Sequence, residues 1–367
     1  MEGKNLIDRK KIKLDEILDG IVPVDREWII KAREHTAQLV MPPRALGRLH
    51  DISERLCGIY KNLKPSITQK TVLVMAGDHG VVNEGISVFP QDVTGAMVGT
   101  FLKGGAGINA ICRYVGAEVW VVDMGIIPEL EPGSIDGGDR FLVHKIAKGT
   151  GNFTKGPAMT RQEAKKAVLT GFKLAAEFFN KGVDILGTGD MGIGNTTPSA
   201  AIGAVVTGSS LEKMVGRGTG IDDEGLMRKR NVINSGIQVN QPDRKDGLDI
   251  LSKIGGFEIG GIAGCMLAGA YHGRPVMVDG FISTAGALIA HTLCPHVTDY
   301  LFAGHCSEEP GHQVMLKHLK LEPILDLGMR LGEGTGGALA MEIMEAALRI
   351  FNDVLTFEEA GISEKEK

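Results

Sequence analysis

ILGTGDMGIGNTTPSAA, residues 185–201, carries in Gly187, Gly189 and Gly192 the G-x-G-x-x-G spacing of a dinucleotide-binding turn. That fingerprint needs a strand, glycines that open a helix at once, and a second strand ending in an acid about 20 residues on. The strand VDILG is present, but the spacing predicts a helix starting only at Thr196 or Thr197 as N-cap, with Pro198 in its first turn. The glycine loop is too long for the fingerprint. Beyond it, GAVVTGSSLEKMVGRGTG holds no clear strand ending in an acid, so a dehydrogenase is disfavoured. What remains is a loop rich in backbone N–H groups, then Asn195, Thr196 and Thr197 at a helix N-terminus. That combination suits an anion, most simply a phosphate monoester. It lacks the G-K-[ST] ending of a Walker loop.

The same texture extends outward. From Thr71 on, apolar runs of strand length alternate with helical segments: TVLVMAGDHG, AEVWVVDMG, VDILGTGD, RPVMVDGF and DYLFAGH. Each ends in Gly, Asp or His, which in an open parallel sheet brings polar groups to the crevice at the carboxyl ends of the strands. Residues 11–62 read as helices broken by Pro23 and Pro42-Pro43, and the segment GGALAMEIMEAALRIFNDVL is helical and apolar enough to fold back onto them. The expected fold is α/β: a Rossmann-like, mostly parallel sheet flanked by helices, with a smaller helical lobe from the N- and C-terminal segments. Its divisions are 1–65, 66–335 and 336–367.

Two further glycine loops stand out. In VGRGTGIDDEGLMRKR, Gly216, Gly218 and Gly220 precede an acid-rich helix start. Lys229 falls about two turns into that helix, where pattern alone reads Arg228-Lys229-Arg230 as a solvated face. In MRLGEGTGGALAMEI, Glu333 stands between Gly332 and Gly334 at the start of a long apolar helix. An acid there complements the helix dipole, but flanking glycines also let a ligand approach the carboxylate closely.

With 367 residues, 43% hydrophobic, the chain can bury one large core with a smaller lobe attached. A net charge of -5 without a basic stripe disfavours nucleic acid as a partner. The first twenty residues lack the apolar segment of a signal peptide, and no run reaches the roughly 20 apolar residues of a membrane span, so the expected location is the cytoplasm. Cys57, Cys112, Cys265, Cys294 and Cys306 are scattered and expected to be reduced. His291, Cys294, His296, His305, Cys306, His312 and His318 match no common metal spacing, and no metal is expected.

Taken in order, GDHGV, PQDVT, GTGDMGIGNTTPSAA, GRGTGIDDEGLMRKR, GGFEIGGIAG, VDGFISTAGAL, SEEPGH and LEPILDLGMRLGEGTGGALAM resemble the nicotinate-nucleotide:dimethylbenzimidazole phosphoribosyltransferases. The resemblance runs from about residue 42 to the carboxyl terminus. It implies transfer of phosphoribosyl from nicotinate mononucleotide to an aromatic base such as 5,6-dimethylbenzimidazole, without a cofactor, by a homodimer. Relatives that use phenol or p-cresol as heterodimers of homologous subunits are the alternative, along with a noncatalytic partner subunit of such an enzyme. The resemblance further implies Glu333 as general base, with Asp190 and Lys229 as the other catalytic groups. Substrate contacts are implied for Asp78, His79, Phe89, Pro90, Gln91, Met97, Gly189, Gly192, Gly194, Asn195, Thr196, Thr197, Gly218, Gly256, Asp279, Gly280, Ser307, Gly332 and Gly334. Family members commonly carry Glu where Asp190 stands, and some carry Ser and Gln where Phe89 and Met97 make the acceptor side more apolar.

Overall fold

The computed structural model describes residues 12–134 and 136–362. Residues 1–11, 135 and 363–367, which the expected divisions include, lie outside the described residues. Strands β1 (Lys70–Gly77), β2 (Ala117–Gly125), β3 (Phe141–Val143), β4 (Ile185–Met191), β5 (Val276–Val278) and β6 (Leu301–Ala303) form one sheet in the order 3-2-1-4-5-6. Every pairing in it is parallel. This is the strand order of a doubly wound Rossmann-like fold. A separate parallel pair joins β7 (His305–Ser307) to β8 (Leu325–Met329).

The five apolar runs are β1, β2, β4, β5 and β6. Their continuous hydrophobicity follows from burial on both faces: every residue of β1 is buried. Val72 and Met75, an odd number of positions apart, point to opposite sides of the sheet. On Val72's side, a side-chain carbon at Gly187 would lie 2.7 Å from Met341 Cε of the helix Thr335–Asp353. On the other side, Met75 Sδ is 3.3 Å from the equivalent point on Gly261 of the helix Phe257–His272.

The helix Arg161–Asn180 packs on Phe257–His272. It opens with a capping box in which Thr160 Oγ1 accepts from Glu163 N and Glu163 Oε2 accepts from Thr160 N, satisfying two end groups reciprocally. The two helices approach so closely that a side chain on Gly264 would overlap Val168 O. The glycines of GGIAGCMLAGA thus serve close packing, Gly264 against the helix Arg161–Asn180 and Gly261 and Gly269 against the sheet side.

Helix Thr335–Asp353 runs from the carboxyl end of the sheet to the helices Arg26–Thr36 and Arg48–Tyr60. There Phe351 packs with Ala32 and Cys57, and His35 Nε2 bonds Phe351 O at 3.1 Å. Leu39 and Thr356 pair as an isolated antiparallel bridge. Among the described residues, no helix is long and apolar enough to cross a membrane.

Candidate active site

In a doubly wound sheet the ligand crevice lies outside the carboxyl ends of the strands where the strand order reverses, here between β1 and β4. β1 runs into Asp78 and His79, and β4 carries Asp190 beside Met75. Asp190 is buried, its Oδ2 accepting from Asn195 Nδ2 at 2.9 Å while Oδ1 has no partner among the described residues. The loop between them is closed by Asn195 N to Gly192 O at 3.1 Å and Thr197 N to Gly194 O at 2.9 Å. Ile193 N donates to Thr94 Oγ1 at 3.1 Å. The helix Thr196–Thr207 starts with Asn195 as N-cap, one residue before the earlier of the two caps the sequence suggests, Thr196 and Thr197. Because Asn195's side chain turns to Asp190, it does not cap the helix. Thr197 Oγ1 is buried and has no partner among the described residues.

Facing this loop are Gly332, Glu333 and Gly334, with φ of 81°, 64° and 97°. Left-handed backbone costs a non-glycine residue about 1–2 kcal/mol, so Glu333 must be held there by its surroundings. Asp279, at the end of β5, supplies the grip: Oδ2 accepts from Gly334 N at 3.1 Å and Oδ1 from Gly337 N at 2.9 Å. Gly189 completes it, since a side chain there would overlap the carbonyl of Glu333. Glu333 Oε2 accepts from Ile108 N at 3.0 Å, in the first turn of the helix Gly107–Val115. Burial raises the Glu333 carboxyl above its ordinary range, opposed by the Ile108 hydrogen bond and reinforced by Asp279.

The loop brings Gly332 over Asp190, where a side-chain carbon would stand 3.3 Å from both carboxylate oxygens. Burial pushes Asp190 up to about 8, the negative charges of Asp279, Glu258 and Glu333 adding to it and Asn195 opposing. Burial likewise raises Asp279, with His305, 3.7 Å away, opposing. Crowding these acids together in a buried site favours their protonated forms, Asp190 above all.

Lys229 sits in the helix Asp223–Asn240 and is 1% exposed, so the solvated-face reading fails. Its Nζ donates to Thr196 Oγ1 at 2.7 Å and to Gly216 O at 3.5 Å. Arg228, by contrast, pairs with Glu224 at the surface. Burial lowers the Lys229 ammonium to about 8, with Glu309 opposing. Glu309 Oε1 accepts from Gly218 N at 2.9 Å and so fixes the loop beneath the lysine. A buried ammonium against a helix N-terminus without a capping side chain is a built anion receptor.

The other expected residues divide. His79 is 1% exposed, with Nε2 2.8 Å from Oε1 of the fully buried Glu258. Gln91 Nε2 donates to His79 O at 3.3 Å. A side-chain carbon on Gly256 would stand 2.5 Å from both His79 Cε1 and Glu258 Oε2. Asp78 Oδ2 instead accepts from Ile127 N at 2.8 Å, shaping the turn after β2. Phe89 is 48% exposed, Pro90 is also exposed, and Met97 packs against the core. Gly280 begins the helix Phe281–Leu293 beside His305. Ser307 N donates to His312 Nδ1 at 2.9 Å. Thr284 donates its hydroxyl to Gly280 O, so the ring's Nε2 donates to Thr284 Oγ1 at 2.9 Å. His312 is thereby held neutral, burial and then His305 lowering it to about 3. Among the described residues, no group of three or more His, Cys, Asp or Glu is placed to hold a metal ion.

Glu258 and Glu309 escape sequence reasoning. Each resembles a helix-start acid, and their partners come from distant segments.

A phosphoribosyltransferase family model matches residues 21–362. The chain is 52% identical over 351 residues to the nicotinate-nucleotide–dimethylbenzimidazole phosphoribosyltransferase of Geobacter sulfurreducens, covering 96% of this chain and 98% of that one. It is 50% identical over 353 residues to that of Geotalea uraniireducens, covering 96% and 99%. The crystal structure of the enzyme so named from Thermus thermophilus superposes with a TM-score of 0.87 at 43% identity, covering 93% of this chain and all of that one.

Proposed function

The chain belongs to the nicotinate-nucleotide:dimethylbenzimidazole phosphoribosyltransferase family, and from that premise we propose how it passes phosphoribosyl from nicotinate mononucleotide to 5,6-dimethylbenzimidazole or a similar base. The carrying observation is the juxtaposition of two buried carboxylates, Glu333 and Asp190, with a buried lysine at the same loop's helix N-terminus.

In this reading the 5′-phosphate docks on the Thr196–Thr207 N-terminus and on Lys229, which exchanges part of its hold on Thr196 for the dianion. The ribose C1′ then lies toward Asp190 and Glu333. The acceptor's unprotonated ring nitrogen attacks C1′, and the bond from C1′ to nicotinate breaks with its electron pair returning to the pyridine nitrogen. The acceptor's N–H proton passes to Glu333. Positive charge gathering at C1′ is stabilised by the Glu333 carboxylate until it takes that proton. Asp190 carries a proton at neutral pH, so its role is to hydrogen-bond rather than to compete as the base.

The family resemblance supports a homodimer as the working unit, which light scattering on the purified protein checks. The five free, buried cysteines fit a reducing cytoplasm.

The test is a panel assay by chromatography and mass spectrometry with nicotinate mononucleotide and, separately, dimethylbenzimidazole, adenine, phenol and p-cresol. An α-riboside phosphate from dimethylbenzimidazole, lost in Glu333→Gln, is the expected result. Product from the phenols alone assigns the phenolic branch, and no product from any acceptor overturns the reading.

A further inference from the structure

His79 and Glu258 are sealed in the floor between β1 and the nucleotide loop. Their charged atoms lie 2.8 Å apart, off the line of a direct hydrogen bond, and among the described residues no other side chain or backbone group satisfies either. Burial alone lowers the imidazole's pKa, yet the adjacent Glu258 more than offsets this and raises it. Burying two ionisable groups together is costly unless their arrangement is well supported. The pair's surroundings are built for it: Gly77, Gly192 and Gly256 all stand where a side-chain carbon would crowd the two residues or the adjoining backbone.

The three glycines belong to different functional segments. Gly77 ends β1, Gly192 lies in the loop between Asp190 and Asn195, and Gly256 precedes the helix of Glu258. The histidine's main chain reaches a fourth segment. His79 O accepts from Gln91 Nε2 at 3.3 Å and from Val82 N at 3.1 Å, anchoring the stretch Ser87–Gln91 on the acceptor side.

We propose that His79 and Glu258 form a positioning couple for the transfer reaction, fixing the acceptor-side segment at Gln91 relative to the nucleotide loop at Gly192. The inference rests on the assigned phosphoribosyl transfer. Neither residue touches the reacting atoms; the couple sets the distance between the two substrates. A misplacement of about 1 Å far from the chemistry costs on the order of 10²-fold in rate. A defect of this kind lowers kcat more than it raises the KM of either substrate.

The experiment is a double-mutant cycle of Glu258→Gln, which keeps the side chain's volume, and Gln91→Ala, which lies in a half-buried segment and spares the core. Steady-state constants are measured with each substrate varied, and binding of nicotinate mononucleotide is measured separately by calorimetry. Each single variant is expected to lower kcat roughly 10- to 100-fold with nucleotide affinity within about threefold of wild type. The double variant is expected to be no worse than the more impaired single one. Unchanged kcat, a loss confined to nucleotide affinity, or additive effects would overturn the inference. Gln91→Ala keeps the question open to decision even if Glu258→Gln folds poorly, because wild-type turnover in that variant alone refutes the coupling. Absence of turnover in the wild type overturns the assigned activity and this inference together, whereas active wild type with additive variants overturns only the inference.

Discussion

Glu333 Oε2 receives the N–H of Ile108 at 3.0 Å, so the first turn of one helix steadies a carboxylate that sits two residues before another. The arrangement leaves Oε1 available. General bases contribute about 10²–10⁴-fold to rate. Glu333→Gln keeps shape and polarity and is expected to lower kcat by that factor with the nucleotide KM nearly unchanged, read from product formation under saturating substrate.

The pH profile follows from the same residue. Burial raises the Glu333 carboxyl, and the base must be ionised to act. The acid limb of kcat is therefore expected above the ordinary range of glutamate, activity falling as pH drops through the raised value. A limb at or below the usual range of a solvated carboxyl contradicts this.

Asp190 gives a stability test with a defined sign. Its folded-state pKa is about 8 against 3.8 unfolded, so the folded state binds the proton more tightly. Its favourable contribution is complete below the unfolded value and is lost as pH rises through the folded one. Asp190→Asn is expected to gain on the wild type in Tm between pH 5 and pH 9, while losing activity. A constant difference in Tm across that window would show that Asp190 is not held protonated.

Lys229→Met removes a charge that folding has to desolvate, and the shape is nearly kept. Charge-assisted hydrogen bonds are worth about 1.5–3 kcal/mol, so the nucleotide KM is expected to rise roughly 10- to 100-fold. Thermal stability should hold or increase. A KM rise for the base instead of the nucleotide would move the phosphate elsewhere.

Gly189→Ala probes the support of the catalytic loop. The added methyl overlaps the Glu333 carbonyl and must push the loop off β4. A drop in kcat of on the order of 10²-fold is expected, with nucleotide affinity retained. Calorimetric titration beside turnover assays separates the two.

Much of this was legible in the sequence, for a physical reason. Strands buried on both faces must be apolar throughout, so β1, β2, β4, β5 and β6 announce themselves and their ends mark the crevice. β3 buries only its first residue fully, β7 reads His-Cys-Ser, and β8 is exposed along most of its length, so none carries that signal. Glycine runs located the loops around Asp190 and Glu333 but gave no distinction between ligand approach and the tight helix contact at Gly264. Lys229 was hidden by its charged neighbours, and its partner Thr196 lies 33 residues away. Glu258 carried no signal, since an acid near a helix start is ordinary and only the fold brings His79 to it.

The fold-back of Phe351 onto Ala32 and Cys57 also sets a timetable. The apolar face on the early helices leaves the ribosome first, and its cover follows about 290 residues later, roughly 15 to 60 s at 5–20 residues per second. During that interval the face is a sticky surface open to chaperones or to neighbouring nascent chains. The nucleotide loop is also translated well before Glu333. A growing chain thus carries the residues of the phosphate cradle before it carries the base, and before the helix that covers one face of the sheet.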